Sequence, residues 1–212
     1  KMMAATVSGA NTNFDRLRYI SERTEIGERR EAILSVTIPE RAGAFRTFCS
    51  AIGKRNITEF NYRYETSGEA RVFVGLTVTP DDEGVSALQS ALERKGYRVL
   101  DMTDNETAKL HLRHMIGGRI SQDTADEIVF RVEFPERPGS LLQFLNALGN
   151  DFSISLFHYR NHGSAFGRIL VGMQVPPSKR PALKKALSRL GYRFWEETDN
   201  PAYREYLGRP GT

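Results

Sequence analysis

Cysteine is almost absent from the chain, since Cys49 is the single one among 212 residues. One thiol excludes a disulfide framework and every zinc site built from several cysteines. Because Phe45, Phe48 and Ile52 are its apolar neighbours, we expect Cys49 to be a buried thiol and not a nucleophile. Without disulfides, the cytoplasm is the expected compartment.

Long apolar runs and a large excess of one charge are also lacking. No run approaches the roughly 18 residues that a membrane span needs, so we expect no membrane partner. The 30 Lys and Arg residues against 26 Asp and Glu leave a net charge of only +4, which is weak support for nucleic-acid binding. Lys1 precedes Met2, which indicates a fragment of a longer protein.

Catalytic motifs are missing as well. The chain contains no Gly-x-Ser-x-Gly elbow, no P-loop and no Gly-rich dinucleotide turn. His111 with His114, and His158 with His162, have spacings that a metal could use, but no third ligand accompanies either pair. We therefore predict neither a catalytic residue nor a metal site.

What the chain does contain is an internal repeat, shifted by 95 to 97 residues. The recurring segments are 39–43 with 135–139, 60–63 with 157–160, 71–75 with 168–172, and 96–105 with 191–200. Small differences in the shift fall where loops are expected, and loops tolerate insertions and deletions. The repeat indicates two copies of one fold.

Within each copy the pattern predicts the order strand, helix, strand, strand, helix, strand. In the first copy, a β-rich run over 33–38 precedes apolar residues at helical spacing over 44–55. Residues 66–68 predict a hairpin turn, and Gly96 predicts the end of the second helix. The order is that of an α+β, ferredoxin-like unit, an antiparallel four-stranded sheet with two helices on one face.

The predicted domain organisation follows from the repeat. We predict two tandem ferredoxin-like (βαββαβ, ACT-like) units, and two units of about 70 residues each would have limited cores and often pair. The segments are a neck at 1–31, the first unit at 32–104, a linker helix and loop at 105–126, the second unit at 127–208, and a tail at 209–212.

Two repeated features are candidates for ligand binding. Tyr62 with Arg63, and Tyr159 with Arg160, end the second strand of each unit and offer a ring and a guanidinium suited to a carboxylate. Neighbours in a strand point to opposite faces, so only one member of each pair can face a given pocket. The alternative is a tyrosine packed on the sheet and a solvated arginine.

A glycine also stands between a strand and a helix in each unit, at Gly43 and at Gly139. Free N–H groups at a helix N-terminus attract a carboxylate, and glycine lets a ligand approach the backbone. A tight turn that simply needs glycine is the alternative interpretation.

The two units resemble the paired ACT-like regulatory subdomains of biosynthetic threonine ammonia-lyase, also called threonine deaminase or dehydratase. The resemblance covers nearly the whole chain, and segments 37–40, 58–63, 111–115 and 154–160 are similar to that family's in order and spacing. Residues 8–11 and 17–23 resemble the end of the family's catalytic domain and the neck that leaves it.

The resemblance implies an allosteric module that binds isoleucine as feedback inhibitor and valine as activator. The parent enzyme converts threonine to 2-oxobutanoate and ammonia in isoleucine biosynthesis. The family's effector-binding tyrosines match Tyr62 and Tyr159, and arginines implicated in feedback sensitivity match Arg160 and Arg113. The family's Schiff-base lysine and phosphate-binding glycine loop have no match here. The resemblance therefore implies no enzyme activity and no cofactor in this fragment, with pyridoxal phosphate in the missing catalytic domain.

The residues can be assigned physical roles in such a site. Phe60 and Phe157 would form an apolar wall, and Arg63, Arg113 or Arg160 would bind the effector's carboxylate. Glu59 and Asn61 are candidates for its ammonium group. Isoleucine exceeds valine by one methylene, about 0.8 kcal/mol of burial, so opposed responses indicate two non-identical sites or two states.

The expected partners are isoleucine, valine, the chain's own catalytic domain and further copies of itself, a dimer of the fragment and a tetramer of the full enzyme. Two alternatives remain, a ferredoxin-like RNA-binding module and a purely structural oligomerisation module. An RNA-binding unit needs aromatic residues on its third strand, but 71–78 contain only Phe73 and 168–175 contain none. We therefore expect no nucleic-acid partner.

Overall fold

The computed structural model describes residues 31–64, 68–78, 84–110, 113, 126–149, 152–161 and 166–208. The predicted neck up to residue 30, most of the hairpin turn, nearly all of the linker beyond residue 110, and the tail from 209 lie outside these residues. Within the part described, no helix is long and apolar enough to cross a membrane.

Both units follow the predicted order of strands and helices. The first unit consists of β1 Glu31–Pro39, α1 Ala44–Ile52, β2 Ile57–Arg63, β3 Glu69–Thr77, α2 Gly84–Arg94 and β4 Arg98–Asp101, followed by α3 Glu106–Leu110. The second consists of β5 Glu127–Pro135, α4 Ser140–Leu148, β6 Ser153–Arg160, β7 Phe166–Gln174, a 3-10 turn Pro177–Lys179, α5 Arg180–Arg189 and β8 Arg193–Glu196, followed by α6 Pro201–Tyr206. The predicted α+β fold of two ferredoxin-like units is confirmed.

The glycines that precede α1 and α4 are required by the backbone itself. Gly43 has φ 80° and Gly139 has φ 87°, both in the left-handed region. Any residue with a Cβ atom is strained in this region. The tight-turn interpretation therefore suffices to explain the repeated glycine, whether or not a ligand binds beside it.

The two units share one antiparallel sheet of eight strands, in the order β4-β1-β3-β2-β6-β7-β5-β8. Strands β2 and β6 pair across the unit boundary, with Asn61 opposite His158. On either side, Phe60 lies opposite Tyr159 and Tyr62 opposite Phe157. Because Asn61 and His158 occupy equivalent repeat positions, a pseudo-two-fold axis passes through this pair.

One face of the sheet, called here the helical face, carries the main core. Strand residues such as Phe60 and Phe157 form one apolar cluster there with residues of α1, α2, α4 and α5. The ring of Phe45 lies 4.9 Å from Phe60 in its own unit and 4.9 Å from Phe157 in the other, centroid to centroid. The core is therefore continuous across the unit boundary. Cys49 is buried in it, as predicted, and burial raises the pKa of its thiol.

The opposite face, called here the outer face, presents Asn61, Arg63, Leu156 and His158 around the axis. The short helices α3 and α6 lie on this side, and Ala108 of α3 packs with Ile33 and Phe73. Phe73 is only 2% exposed. It therefore cannot stack on a base, and the RNA-binding alternative loses the one aromatic residue that supported it.

Candidate functional site

Tyr62 lies in a pocket between the two units on the helical face, called here the first interunit pocket. The first unit contributes the turn from Pro39 to Gly43 and the start of α1. The second unit contributes the end of α4, Phe152 and the start of β6. The ring of Tyr62 is 4% exposed and packs against Phe45 at a centroid distance of 5.3 Å.

Tyr159 lies in an equivalent pocket, the second interunit pocket. Here the second unit contributes the turn from Glu136 to Gly139, and the first unit contributes Arg55, Asn56 and Ile57. The pseudo-two-fold axis relates the two pockets, because each combines the strand-to-helix turn of one unit with the helix-to-strand loop of the other. A ligand in either pocket contacts both units.

Both interunit pockets are small. Each has a volume of about 20 Å³, which is room for about one water molecule. An amino acid enters only if the turn of one unit and the loop of the other move apart.

The two tyrosine hydroxyls differ in their surroundings. Tyr159 donates a hydrogen bond to Glu136 Oε1 at 2.6 Å. Burial, and then the bond to Glu136, raise the pKa of Tyr159. Burial, and then the charge of Glu40, raise the pKa of Tyr62. Both rings therefore stay protonated at neutral pH and can act as hydrogen-bond donors.

The arginines that line these pockets are not the ones predicted. Arg41 and Arg46 line the first pocket, and Arg55 and Arg137 line the second. Arg41 and Arg137 stand at the same place in the repeated Pro-Glu-Arg-x-Gly turn. That recurrence is the sequence signal from which Arg41 and Arg137 could have been predicted, but it was used only to predict the roles of Gly43 and Gly139.

Arg63 points to the outer face, away from Tyr62, because neighbours in a strand alternate. Its Nη1 donates to Glu127 Oε1 at 2.9 Å, and the two side chains are only 5% and 3% exposed. Its Nη2 donates to the backbone carbonyl of Leu207 at 2.8 Å. Arg63 of the first unit therefore neutralises a buried carboxylate of the second.

Arg113 also lies on the outer face. Its Nε donates to Glu59 Oε2 at 2.7 Å, and its Nη2 lies 3.2 Å from Glu31 Oε1. Burial opposes the charge of the guanidinium, but Glu31 and Glu59 raise the pKa of Arg113 overall. Asn61 Nδ2 donates to Glu59 Oε1 at 2.9 Å. The residues considered for an effector's ammonium group are thus engaged with one another and with Arg113.

The structure divides the seven candidate residues between the two faces. Arg160, half-buried, lies opposite Glu59 in the strand ladder, on the outer face. The aromatic residues share the helical face, and all are nearly or fully buried: Phe60, Tyr62, Phe157 and Tyr159. In the part of the chain that the structure describes, the two tyrosines therefore face away from Arg63, Arg113 and Arg160. Among the residues that the structure describes, no three His, Cys, Asp or Glu side chains could hold a metal ion.

Comparison with known proteins gives a family match for each unit. The model of the C-terminal regulatory domain of threonine dehydratase matches residues 22–112 and again residues 118–207. The biosynthetic L-threonine dehydratase IlvA of Burkholderia multivorans is 48% identical over 205 residues, 97% of this chain and 40% of that protein. The Escherichia coli protein of the same name is 47% identical over the same shares. The mitochondrial threonine dehydratase of Saccharomyces cerevisiae is 40% identical over 95% of this chain and 36% of its own.

Proposed function

The chain belongs to the family of C-terminal regulatory domains of threonine dehydratase, and from this premise we propose that it senses isoleucine and valine. The family and the regulatory role that the sequence predicts are confirmed by this membership. The chain spans about 40% of the length of the bacterial relatives. The effectors, the sites and the reaction that they control belong to the proposal.

The pair of interunit pockets is the observation that carries the proposal. An amino-acid effector needs an apolar wall, a cation for its carboxylate and further polar partners. The first pocket supplies Phe45 and Phe152 as wall, Arg41 and Arg46 as cations, and the start of α1. The helix N-terminus adds backbone N–H groups that favour an anion. The second pocket repeats this plan with different side chains.

The small volume of the pockets, about 20 Å³ each, explains how binding would act at a distance. An effector that enters the first pocket separates the turn before α1 from the end of α4, and so shifts one unit against the other. A ligand changes a conformational equilibrium only by its difference in affinity for the two states. A coupling of roughly 1 to 3 kcal/mol is typical of allosteric proteins, and a pocket that exists only in the open state supplies such a difference.

The two pockets are not identical, which suits two effectors with opposite results. The hydroxyl of Tyr159 is already bonded to Glu136, so a ligand in the second pocket competes with that bond. The apolar wall of the first pocket is formed by Phe45 and Phe152, whereas Phe134 and Leu141 line the second. The methylene by which isoleucine exceeds valine is worth about 0.8 kcal/mol of burial. A modest difference in fit between the two pockets is therefore enough for each to favour one effector.

The parent reaction in this proposal is the conversion of threonine to 2-oxobutanoate and ammonia. Pyridoxal phosphate, as the enzyme's cofactor, would act as an electron sink held through a lysine. Among the residues that the structure describes, no lysine lines either interunit pocket, so these pockets do not fit the cofactor and we place no chemical step in them. Strands β4 and β8 end the sheet, and such edges favour pairing with further copies, which supports a homo-oligomer.

Isothermal titration of the chain with L-isoleucine and L-valine tests the proposal. We expect saturable heat with each, and at least a tenfold weaker response in Tyr62→Leu and Tyr159→Leu, which about 1.4 kcal/mol would produce. Tyr206→Leu is the control, since Tyr206 is 72% exposed and lines neither pocket. Absence of heat and of any thermal shift at millimolar isoleucine would contradict it.

A further inference from the structure

The two interunit pockets differ in the acidic side chains that line them. Glu136 lines the second pocket and accepts the hydrogen bond that Tyr159 donates, at 2.6 Å. Among the residues that the structure describes, no aspartate or glutamate lines the first pocket. Both pockets contain two arginines. The first pocket therefore offers positive charge to a ligand, whereas the second also offers a carboxylate.

The repeat makes this difference unexpected, because each unit has a glutamate at the same place in its Pro-Glu-Arg-x-Gly turn. Glu40 of the first unit is equivalent to Glu136 of the second. Burial raises the pKa of Tyr62, and Glu40 raises it further through its charge and not through a hydrogen bond. Burial also raises the pKa of Tyr159, but there the hydrogen bond to Glu136 is the next cause. Equivalent glutamates are therefore held differently in the two units.

Gly167 provides the space that Glu136 occupies. A Cβ atom at Gly167 would lie 2.6 Å from Glu136 Oε2 and 2.9 Å from a ring carbon of Phe134. Such distances are too short for atoms that are not bonded. Because the carboxylate is the end of a flexible side chain, an alanine at this position would push it away from Tyr159.

The first unit has an alanine at the equivalent position. Ala70 lies opposite Ile38 in the strand ladder, as Gly167 lies opposite Phe134. Ala70 is fully buried, so its Cβ atom occupies the space that a carboxylate fills in the second unit. A difference of one carbon atom therefore accounts for a glutamate that lines the second pocket and for its absence from the described lining of the first.

The second pocket can thus bind both charged groups of an amino acid. Arg55 and Arg137 are cations for the carboxylate, and Glu136 is an acceptor for the ammonium group. An ammonium group donates hydrogen bonds, as a tyrosine hydroxyl does, so it can replace Tyr159 on Glu136 when the pocket opens. Hydrogen bonds between ionised groups are the stronger ones, so this exchange favours a ligand that carries an ammonium group.

We propose that Gly167 makes the second interunit pocket selective for the ammonium group of its ligand, because it lets Glu136 line that pocket. The first pocket, with Ala70 at the equivalent position, binds a branched aliphatic carboxylate with or without an ammonium group. This selectivity rests on the proposed function, because it concerns ligands of the same two pockets. Glu136 contacts the ligand, and Gly167 is a positioning residue that acts through it.

L-Isoleucine and (S)-3-methylpentanoate test this selectivity, since the two molecules differ only in the ammonium group. In an NMR titration of the chain, the methyl groups of Leu148 report on the first pocket and those of Leu141 on the second. At Leu141 we expect isoleucine to bind at least about tenfold more tightly, as the loss of a hydrogen bond between charged groups predicts. At Leu148 the two affinities should agree within about threefold.

Glu136→Gln removes the charge but keeps the size of the side chain and an acceptor oxygen. It should abolish the preference for isoleucine at Leu141 and leave the response of Leu148 unchanged. A glutamate that only holds the tyrosine in place would instead change the affinities for both ligands equally. Glu133→Gln is the matched control, since Glu133 is bonded to Arg168 and lines neither pocket, and it should preserve the preference.

Gly167→Ala combined with Phe134→Ile gives the second unit the pair of residues that the first unit has. Isoleucine at position 134 removes the ring that the new Cβ atom would meet. This double variant should also lose the preference at Leu141. Glu136→Gln requires no change of packing, so it decides the case even if the double variant fails to fold.

Three results would overturn the proposal: a preference that survives in Glu136→Gln, a preference of equal size in both pockets of the natural chain, or a response to isoleucine at Leu148 without one at Leu141. Absence of any saturable response to isoleucine at both leucines would overturn the proposed function itself. The two failures are therefore distinguishable in one titration.

Discussion

Glu31 and Glu127 occupy equivalent positions in the two units, but different parts of the chain neutralise them. Arg113, which follows the first unit, approaches Glu31. Glu127 instead receives Arg63 from the first unit, across the strands that join the two. The second unit therefore takes a partner of its buried charge from the first unit, whereas Glu31 is paired with an arginine from the segment that follows its own unit.

Apolar contacts on the helical face also link the second unit to the first. Phe157 of the second unit contacts Phe45 and Phe60 of the first, at ring-centroid distances of 4.9 and 5.8 Å. Two small cores have merged, as expected when each unit alone buries too little apolar surface. The repeat thus duplicates the fold, while the contacts at the axis make the duplicated units interdependent.

Phe157→Ala should have the largest effect on this interdependence. Removing a fully buried phenylalanine costs about 3 to 5 kcal/mol of unfolding free energy, here at the boundary between the units. Phe130→Ala is the control, since Phe130 is equally buried but packs against Phe194 within the second unit. Denaturant unfolding followed by hydrogen exchange should show the units separating in Phe157→Ala alone. Separate transitions of the two units in the natural chain as well would contradict the merged core.

Arg63→Met should cause the second-largest loss of stability. It leaves Glu127 as an uncompensated buried charge, and such losses are worth about 3 kcal/mol or more. Adding Glu127→Gln should recover most of that loss. Arg98→Met serves as the control, because the Arg98–Glu69 pair is exposed at 71% and 57% and should contribute less than about 1 kcal/mol. Equal effects of Arg63→Met and Arg98→Met in denaturant titrations would contradict the dependence of the second unit on the first.

Phe73→Leu should have a smaller effect, and it sharpens the comparison on the outer face. It gives the first unit the leucine of the second, and the lost ring packing against Ile33 and Ala108 should cost roughly 1 kcal/mol. Thermal unfolding should reveal a lower midpoint. Leu170→Phe, the reciprocal change, should leave the midpoint equal or raise it, because it fills existing space. If Leu170→Phe lowered the midpoint as much as Phe73→Leu, the cavity of about 250 Å³ that Leu156, Leu170 and Leu207 line would not have room for the larger ring.

Glu197→Gln should have the smallest effect, and only at acid pH. Hydrogen bonds from Asn200, and then from Arg131, hold the pKa of Glu197 below its ordinary 4.5. A lowered carboxyl pKa stabilises the fold above the unfolded value and ceases to do so as pH falls through the folded value. The advantage of the natural chain over the variant, under about 1 kcal/mol for a pair near the surface, should therefore decline as the pH falls below 4.5. Urea midpoints measured from pH 3 to pH 7 check it.

The elements of each unit could be predicted because their signals are local. Alternation over β1, the helical spacing of Phe45 and Phe48, and Gly96 at the end of α2 all lie within a few residues of one another. The pairing of β2 with β6 could not be predicted, since an apolar strand pattern identifies a buried face but not the neighbouring strand. The shared sheet depends on the match of Asn61 with His158, which are 97 positions apart.

Only part of the candidate site could be located from the sequence, because only local signals can be read there. Tyr62 and Tyr159 could be located from the repeat, but each pocket is completed by the other unit, as by Phe152 and Arg55. Those contacts have no signature in a single sequence. Arg63 lies outside the first interunit pocket because it follows Tyr62 directly, and adjacent strand residues face opposite sides.

Hydrogen exchange of the chain with and without saturating L-isoleucine tests most directly whether the interunit pockets respond to an effector. We expect changed exchange in the turn before α1 or the turn before α4, together with the facing loop of the other unit. Strands β4 and β8, at the far edges of the sheet, should exchange as before. Unchanged exchange at both turns while isoleucine binds elsewhere would contradict the proposed sites.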